Sequence, residues 1–378
     1  MKILVTGSKG FIGRNLIAEL KNRKYSDIYE YDLSTGTGLL DSFTMDCDFV
    51  VHLAGVNRPE NENEFMKGNF GFTSELLQSL KRHNNKSRLL ITSSVQAMID
   101  NPYGKSKKAG EDLIFSYGNE LGVNIYVYRL PNVFGKWCRQ NYNSGVATFC
   151  YNIANDLPIK VNDPDVIMNL VYIDDVIEEI IRRISNEDLE SSNCTSETAK
   201  NIYYSVEPVY KIKLGEIVNL LYSFKESRKN LCVPDMSDEF VKKLYSTYIS
   251  YLPEDKFNYP LKMNTDDRGS FTEFIKTPDR GQVSVNISKP GITKGNHWHH
   301  TKCEKFLVVN GKGVIRFRKI GTEKVLEYFV SGDKLEVLDI PAGFTHNIEN
   351  LGESDMVTIM WANESLDPEK PDTFYLTL

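Results

Sequence analysis

Three histidines and one glutamate near the end of the sequence have the spacing of a metal site. His297 and His299 are two residues apart, Glu304 follows, and His346 lies downstream. Side chains two residues apart on a β-strand point to the same face, so the first two imidazoles can converge. Three imidazoles and one carboxylate suit Zn²⁺, with Fe²⁺, Mn²⁺ and Ni²⁺ as alternatives. The sequence predicts a zinc site formed by these four residues and excludes His300, which would face the other way.

A second set of reactive groups lies in the first half of the sequence. Tyr103 and Lys107 are four residues apart at the start of a predicted helix and would share one helical face. An ammonium beside a tyrosine lowers the pKa of the phenol and prepares it for proton transfer. Ser94, with Ser93 as the alternative, ends the preceding predicted strand and can hold a carbonyl oxygen there. Ser94, Tyr103 and Lys107 together predict catalysis of carbonyl reduction.

A glycine-rich turn follows the first predicted strand and opens the first predicted helix. Glycine lets the backbone approach a pyrophosphate, and a helix N-terminus offers unpaired N–H groups to it. We therefore expect a nicotinamide dinucleotide to contact the turn Gly7-Ser8-Lys9-Gly10-Phe11-Ile12-Gly13, in particular Gly7, Gly10, Phe11, Ile12 and Gly13.

Asp32 ends the second predicted strand, where a carboxylate can select between the two nicotinamide dinucleotides. It would accept a hydrogen bond from a ribose 2′-OH and repel a 2′-phosphate. No basic residue follows it immediately. On these residues alone, NADH is favoured over NADPH.

Two regions of different pattern must position these groups. Residues 1–248 alternate strands with helices, which predicts an α/β Rossmann-like, doubly wound parallel sheet. Residues 249–378 contain short strands punctuated by Gly and Pro, which predicts an all-β cupin, a jelly-roll barrel. The predicted strands are 3–5, 28–31, 49–53, 88–92, 282–287, 305–309, 313–318, 325–330 and 356–361, the predicted helices are 11–21, 64–84, 105–120, 214–225 and 238–248, and 187–205 is predicted to be a polar loop.

Composition excludes several functions. The chain has 378 residues, and its net charge of −6 gives no basic surface for nucleic acid. No apolar run is long enough for a membrane span, and the first residues enter a strand without a signal peptide. The six cysteines are scattered, without a Cys-x-x-Cys pair. We expect a cytoplasmic protein with free thiols, and no membrane or nucleic-acid partner.

The first region resembles the extended short-chain dehydrogenases/reductases. The resemblance rests on the glycine turn, the Ser-Tyr-Lys set, the strand end His52-Leu53-Ala54-Gly55 and the run Arg129-Leu130-Pro131-Asn132-Val133-Phe134-Gly135. It implies catalysis by Ser94, Tyr103 and Lys107, and cofactor contacts from Leu53, Ala54, Gly55, Tyr103 and Lys107. Gln96-Ala97-Met98 stands where that family has Tyr-Gly after the serine.

The second region is similar to the cupins. Gly291, His297-x-His299, Glu304 and Gly311 fit the first cupin motif throughout, and Pro341-x-Gly343-xx-His346-xxx-Asn350 fits the second. The leading glycine of the second motif is displaced to Gly332. The resemblance implies that His297, His299, Glu304 and His346 bind the metal.

A short-chain reductase followed by a metal cupin resembles the CapF-type enzymes of bacterial capsular polysaccharide synthesis. The resemblance implies a homodimer with zinc in the cupin and a UDP-linked 4-keto-6-deoxy-N-acetylhexosamine as substrate. The cupin would epimerise C3. The reductase would then reduce the C4 ketone with NADPH to UDP-2-acetamido-2,6-dideoxy-L-talose, toward UDP-N-acetyl-L-fucosamine. The family uses NADPH whereas Asp32 favours NADH, and Arg58 is one residue that could still reach a 2′-phosphate.

Three questions stay open at the level of sequence. The base of the cupin could be His299, Lys294 or a tyrosine. The metal could polarise the substrate or be structural, because four protein ligands close a tetrahedral site. The alternatives to a bifunctional enzyme are a 4-keto sugar-nucleotide reductase with a structural cupin, and a sensing protein without turnover.

Overall fold

The computed structural model describes residues 1–185, 194–198 and 201–378. They form two compact units, one of residues 1–221 and 243–252 and the other of residues 222–242 and 253–378. The segment 222–242 thus belongs to the second unit. A single boundary after residue 248 stays a prediction.

The first unit is built on a parallel sheet with strand order β2-β1-β3-β4-β5-β9-β8. All neighbours in it are parallel except β8 and β9. A small sheet of order β10-β7-β6 lies in the same unit. The strands are β1 (Ile3–Thr6), β2 (Ile28–Tyr31), β3 (Phe49–His52), β4 (Arg88–Ser94), β5 (Ile125–Leu130), β6 (Asn132–Phe134), β7 (Ile167–Tyr172), β8 (Cys194–Thr198), β9 (Asn201–Tyr204) and β10 (Tyr210–Lys213).

Helices follow the strands, as expected for a doubly wound sheet. They are α1 (Phe11–Asn22), α2 (Thr37–Asp46), α3 (Asn63–Phe65), α4 (Phe72–Arg82), α5 (Pro102–Leu121), α6 (Gly145–Ala154), α7 (Ile173–Ser185), α8 (Leu214–Asn230) and α9 (Glu239–Ile249), with a π-helical turn at Met66–Gly71 and 3-10 turns at Val95–Met98 and Glu254–Lys256. Among the described residues, no helix is both long and apolar enough to cross a membrane.

The central strands are apolar on both faces because helices cover both sides of a parallel sheet. Leu4, Val50, Leu89 and Val127 are completely buried there. Burial of these side chains fixes the strand register, and the register fixes where the carboxyl ends of β1, β3 and β4 lie. Those ends carry the candidate reductase groups.

The second unit consists of two antiparallel sheets, of order β11-β12-β13-β20-β15-β18 and β17-β16-β19-β14-β21. Its strands are β11 (Met263–Asp266), β12 (Gly269–Thr277), β13 (Gly281–Ser288), β14 (Thr293–Trp298), β15 (Glu304–Asn310), β16 (Lys312–Lys319), β17 (Val325–Ser331), β18 (Val337–Ile340), β19 (Phe344–Asn350), β20 (Met356–Ala362) and β21 (Phe374–Tyr375). Phe306, Ile315, Phe317, Ile348 and Met356 form part of its apolar core. The expected all-β cupin is confirmed.

Two local predictions are wrong. The helix predicted for residues 64–84 is not one regular α-helix, because the π-helical turn at Met66–Gly71 separates α3 from α4. The loop predicted for 187–205 contains strands β8 and β9, which pair with each other and with β5. β8 is an edge strand of polar composition, which carries little hydrophobic signal. Residues 187–193 and 199–200 of that prediction lie outside the described residues.

Candidate active site and metal centre

The glycine turn brings the start of α1 close to the end of β3. Gly7 has a φ of +70°, and a Cβ there would lie 2.7 Å from the backbone nitrogen of Ala54. A Cβ on Gly13 would lie 2.2 Å from the carbonyl oxygen of Gly7. No side chain caps the N-terminus of α1, which begins after Gly10. The turn and this uncapped helix end therefore suit a dinucleotide pyrophosphate.

Asp32, which directly follows β2, lies close to Lys9 of the glycine turn. Asp32 accepts hydrogen bonds from the backbone N–H groups of Lys9 (2.8 Å) and Leu33 (2.8 Å). The Lys9 ammonium donates to the Ser34 hydroxyl at 2.5 Å. Sequence reasoning weighed Asp32 and Arg58 but missed Lys9 and Ser34. The signal was available, because Lys9 lies inside the glycine turn that must face the cofactor.

Ser94 and Tyr103 come together at the carboxyl end of β4. The Ser94 hydroxyl accepts from the N–H of Gln96 at 3.2 Å and caps the following 3-10 turn. Burial raises the pKa of Tyr103, and its hydrogen bond with Ser94 opposes that rise. The pair matches the requirement that one hydroxyl holds a carbonyl oxygen near a second that donates a proton.

Lys107 lies one turn further along α5, next to the end of β3. Its ammonium donates to the carbonyl oxygen of Thr92 at 3.2 Å. Burial lowers the pKa of Lys107 to about 8, although Glu111 opposes this. The sequence predicts that Lys107 lowers the pKa of Tyr103, but burial raises this pKa, and the opposing contribution comes from Ser94. The lysine thus sits within the site as a cation held in a poorly solvated position.

Gly55 and Asn69 leave room for that lysine. A Cβ on Gly55 would lie 3.3 Å from Lys107 Nζ and 2.8 Å from Asn69 Oδ1. Asn69 accepts from the N–H of Val56 at 2.9 Å and donates to Ser106 at 2.9 Å. Asn69 lies in the π-helical turn, which sequence periodicity did not reveal, and its contribution was missed.

Ser93, the alternative serine, belongs to a different network. Its hydroxyl donates to the completely buried Glu111 at 2.6 Å, and Arg129 forms two hydrogen bonds to the same carboxylate at 2.9 and 2.6 Å. A buried carboxylate needs such partners. The structure therefore engages Ser93 in the core and leaves Ser94 beside Tyr103.

The four predicted metal ligands converge in a cavity of about 480 Å³ within the second unit. One ligand atom from each of His297, His299, Glu304 and His346 lies within 4.8 Å of the others. His297 and His346 are direct partners across β14 and β19, and Glu304 begins β15. His299 lies one residue beyond the end of β14 rather than on the strand.

Three polar atoms that face one another in this cluster have no hydrogen-bond partner among the described residues. Nε2 of His299 and Nε2 of His346 lie 3.4 and 3.1 Å from Oε2 of Glu304. These three atoms are buried and form no hydrogen bond with the described residues. Buried polar atoms without partners are costly, and a cation between them would satisfy all three. The residues present therefore fit a metal ion.

The pKa shifts of His297 and Glu304 favour the forms that a metal needs, whereas the pKa of His299 is raised because hydrogen bonds to Glu304 and Asp372 outweigh burial. Burial lowers the pKa of His297 to about 4, so its imidazole is neutral near pH 7. Burial tends to raise the pKa of Glu304, but the adjacent imidazoles of His299 and His346 lower it to about 2. A neutral imidazole and an ionised carboxylate are the ligating forms.

Asp372 fixes one of the ligands from behind. Its backbone carbonyl oxygen accepts from Nδ1 of His299, which leaves Nε2 as the ligand nitrogen. Its carboxylate accepts from the N–H groups of His300, Thr301 and Lys302 at 2.9, 2.7 and 2.9 Å. Sequence reasoning missed Asp372, because nothing in the spacing connects it to a loop 70 residues earlier.

The fold and the two sites define an NAD(P)-dependent enzyme with a C-terminal cupin that contains a candidate metal site. Residues 3–194 match the NAD dependent epimerase/dehydratase family, and residues 264–374 match the polysaccharide biosynthesis C-terminal domain. A curated Pseudomonas aeruginosa protein, "UDP-2-acetamido-2,6-beta-L-arabino-hexul-4-ose reductase", is 44% identical over 99% of this chain and 98% of its own length.

Solved structures agree over the whole chain. The crystal structure of the capsular polysaccharide assembling protein CapF from Staphylococcus aureus is 56% identical, covers 100% of both chains and has a TM-score of 0.92. A structure of CapF with the inhibitor 3-isopropenyl-tropolone is 51% identical over 100% of both chains, with a TM-score of 0.87. This chain belongs to the CapF family, which confirms the resemblance seen in its sequence motifs.

Proposed function

We propose that this chain carries out two consecutive steps on a UDP-linked 4-keto-6-deoxy-N-acetylhexosamine. The second unit epimerises C3, and the first unit reduces the C4 ketone with NADPH to UDP-2-acetamido-2,6-dideoxy-L-talose, a precursor of UDP-N-acetyl-L-fucosamine. The observation that carries the proposal is the coexistence of the Ser94–Tyr103 contact and the four-ligand cluster in one chain. The name of the Pseudomonas aeruginosa relative, a reductase of a UDP-linked 4-ulose, supports the substrate class.

The chemistry of the substrate explains the order of the steps. A ketone at C4 acidifies the proton on C3, so a base can remove it and form an enolate. Return of a proton to the other face inverts C3, and this exchange is freely reversible. Reduction at C4 removes the ketone, stops the exchange and draws the sequence forward.

In the first unit, each residue of the set has a separate task. When bound, NADPH supplies the hydride. Ser94 holds the O4 oxygen, and Tyr103 donates the proton that O4 needs as the carbonyl becomes an alcohol. Lys107 places a positive charge at the site, which favours the tyrosinate left after that transfer. The glycine turn and the N-terminus of α1 bind the cofactor pyrophosphate.

For the cofactor, we propose NADPH. The Lys9 ammonium and the Ser34 hydroxyl supply donors for a 2′-phosphate beside Asp32. Both Asp32 oxygens already accept backbone N–H groups, which reduces their repulsion of a phosphate. NADH remains the alternative, since Asp32 can also accept from a 2′-OH.

In the second unit, His297, His299, Glu304 and His346 would hold the metal, for which we propose zinc. A zinc ion so bound would supply a fixed positive charge in the cavity. The second candidate function is a 4-keto sugar-nucleotide reductase whose cupin is structural. The closed set of four protein ligands favours it, because catalytic zinc sites usually keep one position open. We also propose the homodimer that the family resemblance implies.

The test is to incubate the protein with the 4-keto UDP-sugar in D2O, with and without NADPH or NADH, and to follow C3 and C4 by NMR. We expect deuterium at C3 without cofactor and reduction at C4 with NADPH. His299→Ala should abolish the first reaction and spare the second. If His299→Ala leaves C3 exchange intact in a folded protein, the cupin is structural.

A further inference from the structure

Two lysines line the cavity that contains the four candidate metal ligands. They differ in the number of hydrogen-bond acceptors around their ammonium groups. Lys294 donates to the Ile287 carbonyl at 2.7 Å, the Asn286 side chain at 2.9 Å and the Ser270 carbonyl at 3.4 Å. Three acceptors occupy the three N–H bonds of an ammonium. Lys294 is therefore committed to holding β12, β13 and β14 together.

The side chain of Lys302 is buried, but its ammonium forms no hydrogen bond with the described residues. Its side chain is only 6% exposed, yet its ammonium lies 3.7 Å from the nearest carboxylate oxygen, that of Glu364. That separation is too long for a hydrogen bond. Among residues 1–185, 194–198 and 201–378, no hydrogen-bond acceptor is found for this ammonium. A lysine is rarely so buried without a close partner, and this one faces the cavity.

Glu364, whose carboxylate is the nearest to the Lys302 ammonium, also lines the cavity. Its side chain is 42% exposed, so a proton taken up there can pass to water. It follows strand β20, and the side chain of its neighbour Asn363 accepts from the N–H of Cys303 at 3.0 Å. The backbone of Lys302 is fixed in turn by the Asp372 carboxylate at 2.9 Å. Both members of the pair are thus held by the same loop that carries His299.

We propose that Glu364 and Lys302 are the base and the oxyanion-stabilising cation of the cupin reaction. This inference rests on the proposed C3 epimerisation and names the groups that perform it. A carboxylate and an ammonium a few ångströms apart match the two adjacent positions that enolisation needs, the C3 proton and the O4 oxygen.

The step balances without a redox partner. The Glu364 carboxylate takes the C3 proton, and the electrons of the C3–H bond form the C3–C4 double bond while O4 becomes an anion. The Lys302 ammonium donates a hydrogen bond to O4 and stays protonated. Water then delivers a proton to the opposite face of C3 and becomes hydroxide, and the C4 ketone is restored. Glu364 releases its proton through solvent to that hydroxide, which regenerates both the carboxylate and water.

The other candidate bases are less suited. His299 uses Nδ1 on Asp372 and presents Nε2 to the metal cluster. No tyrosine is among the described residues that line the cavity. Asp266, which also lines it, is half exposed and bound to Arg268 at 2.6 Å. Sequence reasoning missed Lys302 and Glu364, because Lys302 lies between two metal ligands and Glu364 is 62 residues further along the chain.

The test uses Glu364→Gln, Lys302→Met and Lys302→Arg in the full-length zinc-loaded protein. Deuterium incorporation at C3 of the 4-keto UDP-sugar is followed by NMR in D2O without cofactor. We expect Glu364→Gln and Lys302→Met each to slow incorporation about 100-fold or more, and Lys302→Arg to recover part of the loss. Metal content should stay at the wild-type value.

Lys305 and Asp339 provide matched controls. They form an ion pair on the same unit, and neither lines the cavity. Lys305→Met and Asp339→Gln should leave C3 exchange unchanged. If Glu364→Gln, with full metal content, exchanges C3 at the wild-type rate, Glu364 is not the base, and the same result for Lys302→Met excludes the cation. If the wild-type protein itself does not exchange C3, the proposed epimerisation fails and the pair's role fails with it.

Discussion

The backbone carbonyl oxygen of Asp372 accepts a hydrogen bond from Nδ1 of His299. The same residue binds three successive N–H groups after His299 with its carboxylate. Burial tends to raise the pKa of Asp372, but these three donors hold that pKa below its usual range. One C-terminal residue therefore fixes both the tautomer of a metal ligand and the loop that carries it.

Asp372→Asn should weaken zinc binding by about 10-fold to 100-fold, the usual effect of removing support behind a ligand. The amide can offer one acceptor oxygen but not a charged pair of them, so the loop loses its anchor. Titration against a chelator measures the change. Asp367→Asn is the control, since Asp367 lies in the same segment and caps only its own turn. Equal zinc affinity in both variants would show that Asp372 does not support the site.

Lys9→Ala should raise the KM for NADPH about 10-fold and leave the KM for NADH within about 2-fold, because it removes one charged contact to a 2′-phosphate. The backbone N–H of residue 9 still binds Asp32, so the turn is preserved. Steady-state kinetics with both cofactors measure the effect. Lys21→Ala, which removes an exposed lysine paired with Glu30, is the control. An equal loss for both cofactors would contradict a role in selection.

Ser94→Ala and Ser93→Ala should fail in different ways. Ser94→Ala removes the group placed to hold O4, so kcat should fall about 100-fold, with a loss of stability limited to the cap of the 3-10 turn. Ser93→Ala removes a donor to the buried Glu111 and should cost about 1–3 kcal/mol of unfolding free energy. Kinetics and thermal melts separate the two. Loss of kcat only in Ser93→Ala would reassign the serine.

The pH dependence of reduction should show an alkaline limb. Burial lowers the pKa of Lys107 to about 8, although Glu111 opposes this. The ammonium is the active form, so kcat/KM for NADPH should be constant below that pH and fall above it. Lys107→Met should lower kcat/KM and lose the limb near pH 8. A wild-type profile that stays flat to about pH 9.5 would contradict this role for Lys107.

The sequence was a good guide wherever a group's position follows from its own strand or helix. The glycine turn, Tyr103 and Lys107 on one helix, and His297 before Glu304 are local patterns, and the structure places them as expected. The π-helical turn at Met66–Gly71 was not predictable, since one extra residue in a helix leaves little trace in periodicity.

Groups brought together by tertiary packing could not be found in this way. Asp372 reaches His299, and Glu364 reaches Lys302, only because the last segment of the chain returns to the start of β15. The pKa of Tyr103 is another case. Proximity to a lysine predicted a fall, but burial, which depends on the whole fold, raises it.

The most direct test of the account is the rate of NADPH oxidation by Tyr103→Phe with the 4-keto UDP-sugar. The variant keeps the aromatic ring and removes only the hydroxyl that contacts Ser94. We predict a fall of at least about 100-fold, with C3 deuterium exchange unchanged. Oxidation at the wild-type rate would contradict proton donation by Tyr103, on which the proposed reduction depends.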